Sequence, residues 1–213
     1  MSLSSWYEKF FATLYDPLLE KTERDTLSPL RSELLGKVEG LVLDLGAGTG
    51  SNLPMLEKQD GPRVFLDRSL PMLRKGIRKG MKRKGFPVVG SATALPFADD
   101  TFDSIVVTLV LCSVDDLRKS LGEIHRTLKP EGVLYVMEHV LSDSPAVARL
   151  QRIATPVWKI FAGGCHLDRA TSREILSFFQ NTEFRTEILS GLPLHLGLYK
   201  KIPSIPPQGS RTS

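Results

Sequence analysis

Asp44-Leu-Gly-Ala-Gly-Thr-Gly50 closes the short apolar run Leu41–Leu45 and leads into a helical segment starting at Ser51-Asn52. An apolar run of this length halted by glycine reads as a buried strand. The glycines let the chain turn sharply and bring backbone close to a ligand, and the helix behind them offers free N–H groups. Two ligand classes use such a turn. A dinucleotide fingerprint is spaced G-x-G-x-x-G, but the position three after Gly48 is Ser51, and the third glycine comes early, at Gly50. The spacing G-x-G-x-G, with Asp44 inside the preceding strand, disfavours an NAD-dependent oxidoreductase.

Outward from this turn the chain alternates. Val64–Asp67 repeats the strand form, and Phe86–Gly90, Phe102–Thr108, Gly132–Glu138, Phe184–Leu189 and Leu194–Lys200 supply five more candidates. Leu117, Leu121, Ile124 and Leu128 step at helical spacing behind Asp115 or Asp116 as a cap. Helices are also predicted over Ser5–Tyr15, where Trp6, Tyr7, Phe10, Phe11 and Leu14 share one side, and over about Leu27–Leu35, ending at Gly36. A longer one spans Pro145–Phe161, with Ser144 as its cap and Pro156 as a kink. Its residues Ala146, Leu150, Ile153, Val157 and Phe161 lie on one side.

Strands alternating with helices predict an α/β fold, a mostly parallel seven-stranded sheet with helices on both faces. Only 190–193 separates the last two strand candidates, too short for a helical crossover, so the last strand is expected in reverse. Residues 1–202 read as one domain, and 203–213 as a flexible tail.

The 213 residues are 41% apolar and 24% charged, which excludes disordered and fibrous classes. No apolar run approaches the roughly 20 residues of a membrane span. The N-terminus lacks a charged n-region and cleavage site, so no secretory signal is expected and a cytoplasmic setting is the default. The net charge of +4 is local: residues 74–84 hold seven Lys/Arg and no acid. Leu70, Leu73, Ile77 and Met81 form a candidate buried stripe there, turning Arg74, Arg78, Lys79, Lys82 and Arg83 outward. Such a face suits RNA phosphates or an anionic membrane surface, although a plainly solvated face is the commoner explanation. No DNA partner is expected, and the oligomeric state is left open.

The glycine turn resembles motif I of the class I S-adenosylmethionine-dependent methyltransferases, and three further segments follow in that family's order. Asp67 ends the second strand, where a carboxylate would accept the ribose hydroxyls. Ser91-Ala-Thr-Ala-Leu-Pro-Phe97 with Asp100-Thr-Phe-Asp103 resembles the segment around the adenine pocket, with Ser91 standing where the family commonly has Asp. Leu128-Lys-Pro-Glu-Gly132 resembles the turn before the fifth strand. The resemblance implies the Rossmann-like fold and S-adenosyl-L-methionine as cofactor. It also implies a cofactor site of Tyr15, Asp44, Gly46, Ala47, Gly48, Gly50, Asn52, Asp67, Arg68, Ser91, Ala92, Thr93, Thr108 and Leu109. Residues 1–36 would be a helical cap, 40–140 the cofactor-binding core and 141–168 a lid.

Thr108-Leu-Val-Leu-Cys-Ser-Val114, Met137-Glu-His-Val140, Pro156-Val-Trp158 and Phe161–Arg169 are similar to a subgroup that includes membrane-associated alkyl thiol S-methyltransferases. The chain starts at its aromatic helix, so the membrane anchor of those relatives is not expected to carry over. The resemblance, together with the apolar helices, makes a small apolar acceptor the expectation, thiol sulfur first and a lipid, quinone or phenol second; the basic face at 74–84 leaves RNA methylation as an alternative, and cofactor binding without catalysis is another. A base would assist loss of the acceptor proton. His139, just beyond a strand, is the first candidate and His166 the second; Cys112 is expected to pack rather than react. Cys112 and Cys165 lie 53 positions apart, and no metal site is expected from them or from the four histidines.

Overall fold

In the computed structural model, which describes residues 22–189 and 191–202, seven strands form one sheet. They are β1 (Val42–Leu45), β2 (Arg63–Asp67), β3 (Phe86–Val89), β4 (Phe102–Thr108), β5 (Leu128–His139), β6 (Phe179–Leu189) and β7 (Leu192–Lys201). Their order is β3-β2-β1-β4-β5-β7-β6. Strand β7 runs antiparallel to both neighbours, and the pairs among β1–β5 are parallel. The reversed last strand is as the sequence predicts. The expected N-terminal helix with Tyr15, and the tail, lie outside the described residues.

Side-chain alternation builds a core on each face. Val42, Phe65, Val106, Tyr135 and Met137 meet α1 (Ser28–Leu35), α2 (Leu53–Leu56), α3 (Leu70–Lys79) and α4 (Met81–Lys84). Leu43, Leu66, Ile105, Val107, Leu134 and Val136 meet α5 (Leu117–Thr127) and α7 (Thr171–Ile175). Asp116 caps α5, accepting the Lys119 N–H at 3.0 Å. Leu128 opens β5 instead of ending that helix. Residues 129–132 form an irregularity, since Phe102 pairs with Leu128 but Ser104 with Val133. Strands β6 and β7 are longer than predicted: β6 begins at Phe179, which pairs with Lys201, and β7 begins at Leu192, which pairs with Leu189 and leaves a two-residue connection.

Two amphipathic readings need correction. In α3–α4 the buried residues are Met72, Leu73, Gly76 and Met81, whereas Leu70 and Ile77 are exposed. Gly76 packs against the Met81 thioether so closely that a Cβ there would collide with that sulfur. The expected cations do point outward. In α6 (Pro145–Phe161) Leu150, Ile153 and Val157 of the expected apolar stripe face solvent, Ile153 67% and Val157 62% exposed. Its buried side carries Ala148, Gln151 and Thr155. Gln151 holds that face by donating to Val140 O at 2.9 Å and accepting the Ser142 N–H at 2.8 Å. Ser144 occupies the cap position of α6, but its side chain makes no capping bond.

The chain order reverses between β1 and β4, which neighbour each other while continuing to opposite sides of the sheet. Loops leaving the carboxyl ends of such a pair diverge and open a crevice.

Candidate active site

A cleft of about 210 Å³ lies at that crevice. Its floor is the glycine loop. Gly46 and Ala47 donate N–H bonds to Leu66 O at 2.7 and 3.0 Å, which pins the loop to the end of β2. Gly46 (φ 72°) and Gly48 (φ 54°) adopt left-handed conformations that favour glycine. A Cβ at Gly46 would collide with Val110, and one at Gly48 would stand 3.9 Å from Asp67 Oδ2. Asp67 accepts the Gly48 N–H at 2.8 Å and the Ser69 N–H at 2.7 Å, so its carboxylate is aimed by backbone from both flanks.

Behind the loop a polar network is buried. Asn52 donates to Asp44 Oδ1 at 2.7 Å and accepts from Arg31 at 2.7 Å; the same Arg31 nitrogen reaches Thr108 Oγ1 at 2.5 Å. Arg31 is 2% exposed, with Glu23 as its ionic partner at 2.8 Å. Burial pushes Asp44 up to about 7, against the opposing pulls of Asn52 and Arg31, and its Oδ2 has no hydrogen-bond partner among the described residues.

Opposite the glycine loop, Leu109 takes a left-handed conformation (φ 58°) unusual for its type, and the chain then folds over Glu138. The Glu138 carboxylate accepts N–H bonds from Val110, Leu111 and Cys112 at 2.6, 2.7 and 3.2 Å. Burial raises Glu138 to about 7 despite those donors. Arg169 bonds Leu111 O and Val114 O at 2.7 and 2.8 Å, and the His166 N–H bonds Cys112 O at 2.8 Å. The 110–115 segment is thereby held from two sides.

Of the residues expected from sequence, Gly46, Ala47, Gly48, Asn52, Asp67, Arg68, Ser91, Ala92, Thr93, Thr108 and Leu109 line the cleft. Asp44 and Gly50 stand behind that lining. The Ser91 hydroxyl is already engaged, bonding Thr93 Oγ1 at 2.8 Å and accepting the Thr93 N–H at 3.2 Å. His139 and His166 do not line the cleft. Burial, then the charges of Arg169 and Lys159, hold His166 below its ordinary range.

Arg31, Ser113, Val114, Asp115, Ala162 and Gly163 line the cleft without having been anticipated. Arg31 lies on a helix distant in sequence from every motif, and no local signal marks it. The Gly163-Gly164 pair is the signal that the sequence did offer for the 162–163 turn: both adopt positive φ, 60° and 90°.

The two cysteines far apart in sequence are neighbours in space: Cys112, Cys165 and His139 place a sulfur, a sulfur and a ring nitrogen within 4.8 Å of one another. Cys165 is held below the ordinary thiol range by a hydrogen bond from Cys112 and by His139, while the same bond and burial push Cys112 up.

Residues 43–136 match the family model described as a methyltransferase domain. The chain is 35% identical to the thiol S-methyltransferase TMT1B of Rattus norvegicus over 74% of this chain and 66% of that protein. It is 33% identical to the thiol S-methyltransferase TMT1B of Homo sapiens, over 83% of this chain and 76% of that protein. The chain thus spans just under two thirds of the length of the rat relative. A crystal structure from Thermotoga maritima, titled a SAM-dependent methyltransferase and possible histamine N-methyltransferase, superposes with a TM-score of 0.68. It is 22% identical and covers 92% of this chain and 99% of that one, a likeness of fold.

Proposed function

The chain belongs to the class I S-adenosylmethionine-dependent methyltransferases, and on that premise we propose that its acceptor is the sulfur of a small apolar thiol. The dinucleotide reading of the glycine loop falls with this membership. S-adenosylmethionine, when bound, supplies a methyl carbon on a positively charged sulfur. The residues of the cleft fit such a nucleoside. Asp67 would accept the ribose hydroxyls, in the space that a Cβ at Gly48 would narrow. Arg31 would hold the carboxylate of the amino-acid portion. The unpartnered Oδ2 of Asp44 adds negative potential behind the loop, which favours a cationic ligand. Ser91, already turned onto Thr93, contributes less to the adenine than an aspartate would.

One observation carries the thiol reading: the similarity to thiol S-methyltransferases extends over 192 residues, far more than the matched methyltransferase domain contains. The likeness therefore includes elements outside the general cofactor fold. We assign to α6 and the 162–163 turn the role of a lid, residues 141–168. Its turn, at Ala162 and Gly163, lines the cleft. Chemically, a thiol asks little of the protein. It is a few per cent ionised at neutral pH and intrinsically nucleophilic, so alignment and exclusion of water supply most of the effect.

The test is an acceptor panel of alkyl thiols, phenols, quinones and RNA, read by release of S-adenosylhomocysteine. Alkyl thiols are expected to turn over fastest. Preferential methylation of phenols, quinones or nucleotides would overturn the thiol reading while leaving the family unchanged.

A further inference from the structure

We propose that Cys112, Cys165 and His139 form a binding site for a divalent metal ion of the zinc class, independent of which acceptor the enzyme uses. The three donors come from three segments: the loop after β4, the loop after α6, and the last residue of β5. The Cys165 Sγ lies 4.0 Å from His139 Nδ1, and all three donor atoms fall within 4.8 Å of one another. Tetrahedral zinc with bonds of about 2.0–2.3 Å places its ligands roughly 3.5–3.8 Å apart. Contraction onto an ion therefore needs side-chain rotations of about 1 Å or less, without backbone movement.

The chemistry of the donors selects the ion. Two sulfurs and an imidazole are a soft to borderline set that suits zinc; calcium and magnesium take oxygen ligands, and none of the three offers one. Three protein ligands leave the fourth position of a tetrahedron for water or another small donor.

The site is also pre-organised. Glu138 fixes the Cys112 N–H, and the His166 N–H fixes the Cys112 carbonyl, so the two cysteine loops are tied to each other. His139 is held in register opposite Leu194 of β7. Metal sites typically depend on such outer hydrogen bonds to orient their ligands. Buried cysteines often serve as small apolar residues, but here they are two of the three buried members of a satellite core completed by Leu167. So small a cluster contributes little burial, and a shared ion would hold the junction where the apolar contacts are few.

The location gives the ion a consequence. Ser113 and Val114 follow Cys112, and Ala162 and Gly163 precede Cys165; all four line the cleft. An ion bound by both cysteines would clamp those two walls together.

Reduced protein, stripped of metal with a chelator, is titrated with Co²⁺ and then with competing Zn²⁺. Expected are one equivalent bound, tetrahedral visible bands and sulfur-to-cobalt charge transfer in the near ultraviolet. Cys112→Ser and Cys165→Ser should each diminish the charge transfer. His139→Gln, a change at a half-buried position, should keep it while weakening binding by roughly a hundredfold, as befits loss of one of three ligands. His166→Ala should change nothing. Circular dichroism establishes that each variant is folded. Absence of charge transfer in the reduced wild type, or charge transfer that survives the double cysteine substitution, overturns the proposal.

Discussion

Asp44 on β1 and Glu138 on β5 are both carboxylates buried at the carboxyl edge of the sheet, and burial raises both to about 7. They solve that burial differently. Glu138 is wrapped by three backbone donors and acts as the internal anchor of the 110–112 turn. Asp44 has Asn52 at one oxygen and, among the described residues, no hydrogen-bond partner at the other. The first arrangement is complete within the protein and spends its charge on architecture. The second is incomplete and keeps its potential for a neighbour in the cleft. The two halves of the crevice differ in the same way: one is a fixed scaffold from β4, β5 and the 162–169 loop, and the other, from β1 and β2, is the half to which the proposed function gives the role of receptor.

Removing the anchor should give the largest effect. Glu138→Ala leaves three buried N–H groups without acceptors and is expected to destabilise the fold by about 3–5 kcal/mol, read as a lower midpoint in urea. Glu138→Gln, which keeps one carbonyl acceptor, should cost less. If alanine is tolerated within 1 kcal/mol or so, the distinction between scaffold and receptor is lost.

The receptor half predicts the opposite signature, a binding defect with little loss of stability. Asp67→Ala should weaken S-adenosylmethionine binding by roughly a hundredfold, about 2.7 kcal/mol by calorimetry, because a charged acceptor for ribose and loop disappears. A mainly structural Asp67 would instead lower thermal stability and leave affinity near its original value.

Asp44 sharpens the comparison through pH. Its folded value lies above its unfolded one, so the protonated group stabilises the fold fully below about pH 4, and that contribution is lost as pH rises through 7. The total is on the order of 4 kcal/mol. Stability of the cofactor-free protein should therefore fall over this window, and Asp44→Asn should flatten the decline. A cationic ligand favours the ionised form, so affinity for S-adenosylmethionine should rise severalfold between about pH 6 and 8 in the wild type and not in Asp44→Asn. A pH-independent affinity would sever Asp44 from the receptor.

Smaller effects lie at the periphery. Ile153→Glu on the exposed stripe of α6 should change stability by less than about 0.5 kcal/mol yet raise KM for an apolar thiol. An unaltered KM removes the lid role. Lys82→Glu with Arg83→Glu, on the cationic face of 74–84, should reduce salt-sensitive binding to anionic vesicles and leave turnover unchanged. Vesicle binding indifferent to these changes would show the face to be merely solvated.

The receptor half was legible because its parts are contiguous. A glycine loop needs positive φ at fixed positions, and the strand-ending acid Asp67 and the turn at 91–93 each declare themselves within a few residues. The scaffold half was largely hidden. Glu138 looked like one more strand residue, and its partners are backbone groups that no composition marks. The stripe of α6 had the periodicity of a core face, but Gln151 bonds inward to Val140 O and the Thr155 hydroxyl is satisfied on the Gln151 carbonyl of its own helix, so that side is buried and the stripe turns to solvent instead. The α3 stripe slipped because Gly76 allows the Met81 side chain a closer approach than larger residues would.

Sequence alone determined the alternating α/β order, the reversed final strand and the glycine loop at the cleft, because periodicity, short connections and glycine stereochemistry are properties of neighbouring residues. Tertiary structure decided which distant groups meet: Arg31 with Asn52 and Thr108, Glu138 with the turn at 110–112, and Cys112 with Cys165 and His139. Those meetings depend on the parallel registers of β1, β4 and β5 and on the path of the chain after α6. They are set by the packing of the whole sheet, and no local pattern encodes them.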